Sequence, residues 1–178
     1  MNILNRARIA GLLLAAFAAL SAAPAIRAEE AHTHMAQAAD VTIGTLTLSL
    51  PYAIATLPNQ PAGGGFLTIT NTGSGADRLV AVTSPMAAKA EVHEMKMDGD
   101  VMKMSALPDG LVIPAGETVT LAPGGFHLMF MDLTAAFVKG GTVPVTLTFE
   151  KAGEITIELP VLSRDEAKAL AAPMQHNM

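Results

Sequence analysis

The sequence predicts an all-β domain of the Greek-key β-sandwich or barrel type, and three observations predict it. From Val41 to Leu162 threonine alternates with valine, isoleucine and leucine at period two, as in V-T-I-G-T-L-T-L-S-L, T-V-P-V-T-L-T-F and E-I-T-I-E-L. Such alternation marks half-buried strands, in which successive side chains face core and solvent. Turn clusters recur between the runs, at Asn71 to Ala76, Asp98-Gly99, Pro114-Ala115-Gly116, Pro123-Gly124-Gly125 and Lys139-Gly140-Gly141. Many short strands at regular spacing, with no internal repeat and no second domain, fit a sandwich or barrel.

Residues 1–28 read as a secretory signal. Arg6 and Arg8 form a basic start, Ile9 to Leu20 is apolar, and small residues follow up to cleavage sites after Ala25 or Ala28. The apolar run is shorter than the ~20 residues of a membrane span, so no span is expected after cleavage. Residues 29–40 are polar and aperiodic, a flexible arm holding His32, His34 and Met35. Residues 41–162 form the predicted β domain. Residues 163–178 are read as a short helix over Arg164 to Ala172 and a second flexible tail with Met174, His176 and Met178.

Charge and composition exclude several functions. The leader holds three of the 11 basic residues and none of the 16 acids, leaving a mature chain with 8 basic and 16 acidic residues, a net charge of −8. An acidic domain with one tyrosine and no tryptophan is no nucleic-acid binder, which needs a basic face. The chain has no cysteine, so a blue-copper His2Cys electron-transfer site is closed to it. Ser84, Ser105 and Ser163 stand in no nucleophile-elbow context. His93-Glu94 is no zinc-hydrolase pair, because adjacent strand residues point to opposite faces. The chain is read as a non-enzyme.

The chemistry lies in H-E-M-K-M-D-G-D-V-M-K-M over 93–104 and H-L-M-F-M over 127–131. Ala90 to Ser105 reads as a β-hairpin closed by Asp98-Gly99, since a type I′ turn needs positive φ at both centres. That turn would set His93 opposite Met104, Met95 opposite Met102 and Met97 opposite Asp100. Opposed β-carbons lie ~4.5–5.5 Å apart, so His93 and Met104 would reach one ion. In His127-Leu128-Met129 the spacing of two puts imidazole and thioether on one strand face, and Gly124-Gly125 permits a tight turn into it. Joined, the two pairs make an N2S2 set. Imidazole suits copper and thioether selects Cu(I), and unlike thiols these sulfurs form no disulfide in an oxidising compartment. Methionine is also a core filler, the simplest reading of any one of Met95, Met97, Met102 or Met131. Met131 in particular is expected to lie deeper than Met129. Six methionines and two histidines in two short segments favour copper over packing.

The pattern resembles the PCu(A)C family of periplasmic copper chaperones, in which a His, a Met about ten residues on and a later His-x-Met supply the ligands. Here His93 and Met104 enclose ten residues, His127-Leu128-Met129 completes the motif, and L-V-I-P-A-G-E-T-V-T-L-A-P-G-G-F-H-L-M-F-M resembles the family signature. Between Met104 and His127 stand 22 residues, one more than the family's usual number, an excess assigned to the Ala106 to Gly110 loop. The similarity covers residues 41 to 162. It implies a cupredoxin-like fold and Cu(I) held by His93, Met104, His127 and Met129. It also implies a periplasmic location and delivery toward the dinuclear copper site of cytochrome c oxidase. The partner would be an oxidase subunit or another copper chaperone. Passive copper storage or resistance is the alternative, because it needs the same ligands. His32, His34, Met35, Met174, His176 and Met178 are candidates for a secondary Cu(II) site, which prefers nitrogen and oxygen donors.

Overall fold

The computed structural model describes residues 39–171. The secretory signal and the tail residues His32, His34, Met35, Met174, His176 and Met178 lie outside them. Eleven strands follow in order: β1 Val41–Ile43, β2 Leu46–Ile54, β3 Ala62–Asn71, β4 Asp77–Thr83, β5 Ala87–Asp98, β6 Val101–Ala106, β7 Leu111–Ile113, β8 Thr118–Leu121, β9 Phe126–Leu133, β10 Thr142–Phe149 and β11 Gly153–Leu162. One helix, α1, spans Arg164–Ala171.

The strands form one sheet in the order β6-β5-β9-β8-β3-β2-β11-β10-β4-β7, with β1 paired to β2. Further pairings of β9 with β3 and of β4 with β5 (Val82 opposite Ala90) close the sheet into a mixed eight-stranded barrel. Closure removes most free edges, which is how small β-domains avoid strand addition. A bulge helps the sheet to bend. Ser49 opposes Thr68 but Tyr52 opposes Phe66, and the extra residue falls at Leu50, whose φ is +50°. Beyond it β2 turns to pair in parallel with β11 through Ala53 and Ile54.

The barrel is filled by the alternating apolar set the sequence displays, including Leu46, Leu48, Ile69, Leu128, Phe130, Val145, Leu147 and Leu159, joined by Phe137 from the segment between β9 and β10. Phe130 and Phe137 meet edge to face at 5.5 Å. They fit because β3 opens with three glycines: a β-carbon on Gly65 would stand 2.8 Å from Phe130 Cε2 and from Leu159 Cδ1, and one on Gly63 2.6 Å from Phe137 Cε2. Outside the barrel, α1 covers the stacked rings of Tyr52 and Phe66 with Ala167. A capping box starts this helix: Glu166 N–H donates to Ser163 Oγ and Ser163 N–H to Glu166 Oε2.

Candidate metal centre

Strand β5 lies between β6 and β9, and both neighbours run antiparallel to it. Its core face carries Val92, opposite the fully buried Leu128 of β9. The alternate residues Glu91, His93, Met95 and Met97 therefore share the other face. On β9 the matching outward set is His127, Met129 and Met131, because Leu128 and Phe130 between them fill the core. Register then decides which groups meet. His93 stands directly opposite His127, Glu91 opposite Met129, and Lys89 opposite Met131. Gly64 of β3 faces Met129 from the far side, leaving that flank without a side chain.

The two imidazoles come together on this face. Both histidines are buried, yet they lie on the sheet's outer face. Their ring centres are 5.9 Å apart at an interplanar angle of 53°. A metal–imidazole bond of about 2 Å puts a ring centre about 3 Å from the ion, so two rings sharing one ion fit this spacing. His127 Nδ1 lies 3.1 Å from the Gly125 carbonyl oxygen. A carbonyl only accepts, so Nδ1 carries the proton and Nε2 offers a lone pair. His93 Nε2 lies 3.2 Å from Glu91 Oε2. That carboxyl sits below its usual range, first through the Lys89 ammonium, 2.7 Å from Oε1, and then through His93 itself. Nε2 therefore donates, and His93 Nδ1 is left with its lone pair. This atom is buried without a hydrogen-bond partner. An orphaned buried acceptor is uncommon in a folded protein and needs an explanation. An ion bound there would supply the missing partner.

The hairpin differs from the expected register. β5 and β6 pair Met95 with Met104, Met97 with Met102 and Asp98 with Val101, and His93 faces Ala106 rather than Met104. The turn centres are Gly99 and Asp100, and only Gly99, at φ +62°, has positive φ. Positive φ at the first centre alone is the II′ pattern, which asks for glycine there, whereas I′ would have centred on Asp98-Gly99. The shift is two residues, an even number, so every side chain keeps its expected face. Met104 shares the face of His93, one rung further out. It is half exposed and diagonal to His93 across the hairpin, a relation of about 7–8 Å.

Met131 also departs from expectation. It is half-buried, faces Lys89 and takes no part in the core. Its sequence parity with His127 and Met129 puts it on the outer face. Met86 packs against the described core cluster, whereas the methionines of β5, β6 and β9 do not belong to it. The residue that sequence reasoning missed is Glu91. Its signal was there in the two-residue spacing to His93, which places carboxylate and imidazole on one strand face.

Residues 46–161 match the LpqE-like family, whose description reads "Putative lipoprotein LpqE-like". The chain belongs to the LpqE-like family. A relative, "Putative lipoprotein Lxx21020" of Leifsonia xyli subsp. xyli (strain CTCB07), is 38% identical over 106 residues, covering 57% of this chain and 64% of the relative. The chain thus spans a little under two thirds of that relative's length. Among solved structures, this LpqE-like chain is similar to the "Copper-bound PCuAC domain from PmoF2", with a TM-score of 0.60 and 26% identity over 70% of this chain and 98% of that domain. It is similar also to the "Solution structure of CuI-DR1885 from Deinococcus Radiodurans", with a TM-score of 0.55 and 24% identity over 71% of this chain and 83% of that one. The second likeness speaks for the fold alone. The fold is the cupredoxin-like all-β barrel that the sequence predicts.

Among the described residues no three His, Asp or Glu side chains converge on a point able to hold a metal. Met129 is the sulfur donor beside these imidazoles, and thioether sulfur suits Cu(I) better than harder ions. No described helix is long and apolar enough to cross a membrane.

Proposed function

We propose that the domain is a copper chaperone. It binds one Cu(I) through His93 Nδ1, His127 Nε2 and Met129 Sδ, with Met104 supplied by the hairpin, and hands the ion to an acceptor without catalytic turnover. The observation that carries this reading is the pair of facing imidazoles, each with one nitrogen engaged and the other free, beside Met129. The copper-bound PCuAC relative supports it. Met104 reaches the ion by coiling of the β5–β6 ribbon, since two-stranded ribbons twist more strongly than broad sheets. Neutral thioethers hold Cu(I) without the charge of a thiolate and so release it more readily. The ligands stand on an outer sheet face, where half-exposed Met104 gives an acceptor's Cys or His a side of approach. The lipoprotein relatives support an exported protein. A periplasmic acceptor, a cytochrome c oxidase subunit or another copper chaperone, fits such a carrier.

The test is a Cu(I) titration against a competing Cu(I) chelator beside a Zn(II) titration. We expect one tight Cu(I) in the folded domain and far weaker zinc. His127→Ala should lower the Cu(I) affinity at least tenfold or so, the loss of one ligand bond, with the fold retained. Equal zinc affinity at the same residues would overturn the proposal.

A further inference from the structure

The imidazole site uses at most two of the methionines on this face and leaves the outer half of the hairpin unexplained. Beyond His93 the ribbon carries four methionines in two directly opposed pairs, Met95 with Met104 and Met97 with Met102, on successive rungs. All four lie on the face that holds His93. The opposite face carries Glu94, Lys96, Asp98, Val101, Lys103 and Ser105, where Lys103 pairs with Asp98. Between His93 and the turn the methionine face therefore presents thioether sulfur and nothing else. Met97, Met102 and Met104 are 55%, 50% and 51% exposed. The β6 strand is at the end of the sheet order, with a neighbour on one side only.

Neither folding nor solubility accounts for this set. Methionine's usual service is to fill irregular gaps in a core, and none of these side chains belongs to the core clusters. Exposed strand positions favour threonine and other β-branched residues, which this chain uses freely elsewhere, as at Thr146 and Thr156. Two opposed pairs fit a soft ion. β-Carbons directly across a ladder stand ~4.5–5.5 Å apart, and each thioether swings on three rotatable bonds. Both sulfurs of a pair can thus close on one ion, with successive rungs ~7 Å apart along the strand. A shell of neutral sulfur selects Cu(I) and its analogue Ag(I) over zinc and Cu(II).

We propose that the hairpin tip is a second Cu(I) site, formed by Met97 and Met102, with Met95 on the same face one rung inward. It captures the ion and lies in line with the imidazoles. Binding there stands independently of the imidazole site, whereas its role as a point of entry rests on the chaperone reading. With no imidazole, the tip should bind more weakly than the inner site by roughly tenfold or more.

Ag(I) titration of the full chain, followed through the methionine methyl resonances by NMR, separates the two sites. The first equivalent should move Met129 and Met104, and the second Met97 and Met102. Replacing both tip residues, Met97→Leu with Met102→Leu, keeps their volume and should abolish the second event while leaving the first unchanged. In His93→Ala/His127→Ala the tip methyls should still move. Tip methyls that stay fixed through several equivalents in the unaltered chain would overturn the proposal. So would their loss of response in the double-histidine variant, since the tip would then be no site of its own. Failure of Met129 to respond while the tip does would count against the inner site alone.

Discussion

At the scale of single residues, Glu91 links the structure of the face to its chemistry. Its carboxylate accepts from Lys89 on one oxygen and from His93 on the other, so it fixes which nitrogen of His93 is free. Carboxylate partners of ligand histidines typically matter 10–100-fold to metal affinity. Glu91→Gln should accordingly weaken Cu(I) binding about 10- to 100-fold with little change in melting temperature; unchanged affinity would show that His93 needs no such orientation. Asp77 plays a structural part of the same kind. Burial works most strongly against its charge, yet N–H groups of Arg78, Lys151 and Ala152, with the Lys151 charge, hold its carboxyl below the usual range. A carboxyl lowered on folding contributes stability above its unfolded value of about 3.9 and loses it as pH falls through the folded value. Asp77→Asn turns an NH2 toward one of those donors and should cost about 1–3 kcal/mol near neutral pH. In denaturation curves run down to pH 3 the gap should narrow; a gap independent of pH would mean that the charge contributes nothing. The candidate ligands were legible in the sequence as a set, because soft donors in a cysteine-free chain stand out and period-two spacing puts each group on one strand face. Glu91 went unread because a carboxylate two residues from a histidine matters only once both are known to share a strand face.

At the scale of elements, turns and glycines decide what pattern alone leaves open. Asp98-Gly99-Asp100 permits two hairpin registers that differ by two residues. Alternation cannot separate them, since both keep Met95, Met97, Met102 and Met104 on one face. Only the φ values at Gly99 and Asp100 settle the partner of each methionine. β3 shows the converse. The alternating run F-L-T-I-T starts at Phe66, but the strand begins at Ala62 and runs through three glycines. Glycine normally weakens a strand. Here it makes room for Phe130, Phe137 and Leu159, which lie far away in sequence and cannot be seen from the local pattern. Gly65→Ala should therefore destabilise the domain by about 1–3 kcal/mol through overpacking. It should do so without weakening Cu(I) binding in the fraction that stays folded. Calorimetry gives the first quantity and chelator competition the second, and a stabilised Gly65→Ala would mean that the barrel has slack beside Phe130.

At the scale of the whole molecule, the candidate site depends on a pairing between strands distant in sequence. His93 and His127 are 34 positions apart and meet because β5 and β9 pair side by side in the barrel wall, a contact that no local signal specifies. The sequence could indicate strands and faces, but not that these two faces would be one. Charge is the other molecular property that bears on function. The described residues carry 14 acidic and 8 basic side chains, so the domain meets its surroundings as an anion at neutral pH. An acceptor with a basic rim around its copper ligands would be drawn to it over distances of a Debye length, about 8–10 Å at physiological salt. Transfer of Cu(I) to an apo oxidase copper domain should then slow as salt rises from about 50 to 500 mM, chiefly through the association rate. The final extent of transfer, set by ligand chemistry, should change little. A carrier gives up its ion on this timetable, whereas a storage protein retains it at any ionic strength. Cells lacking the chain should assemble cytochrome c oxidase poorly at low copper and recover when copper is added. Normal assembly combined with new sensitivity to excess copper would instead assign the same ligands to storage.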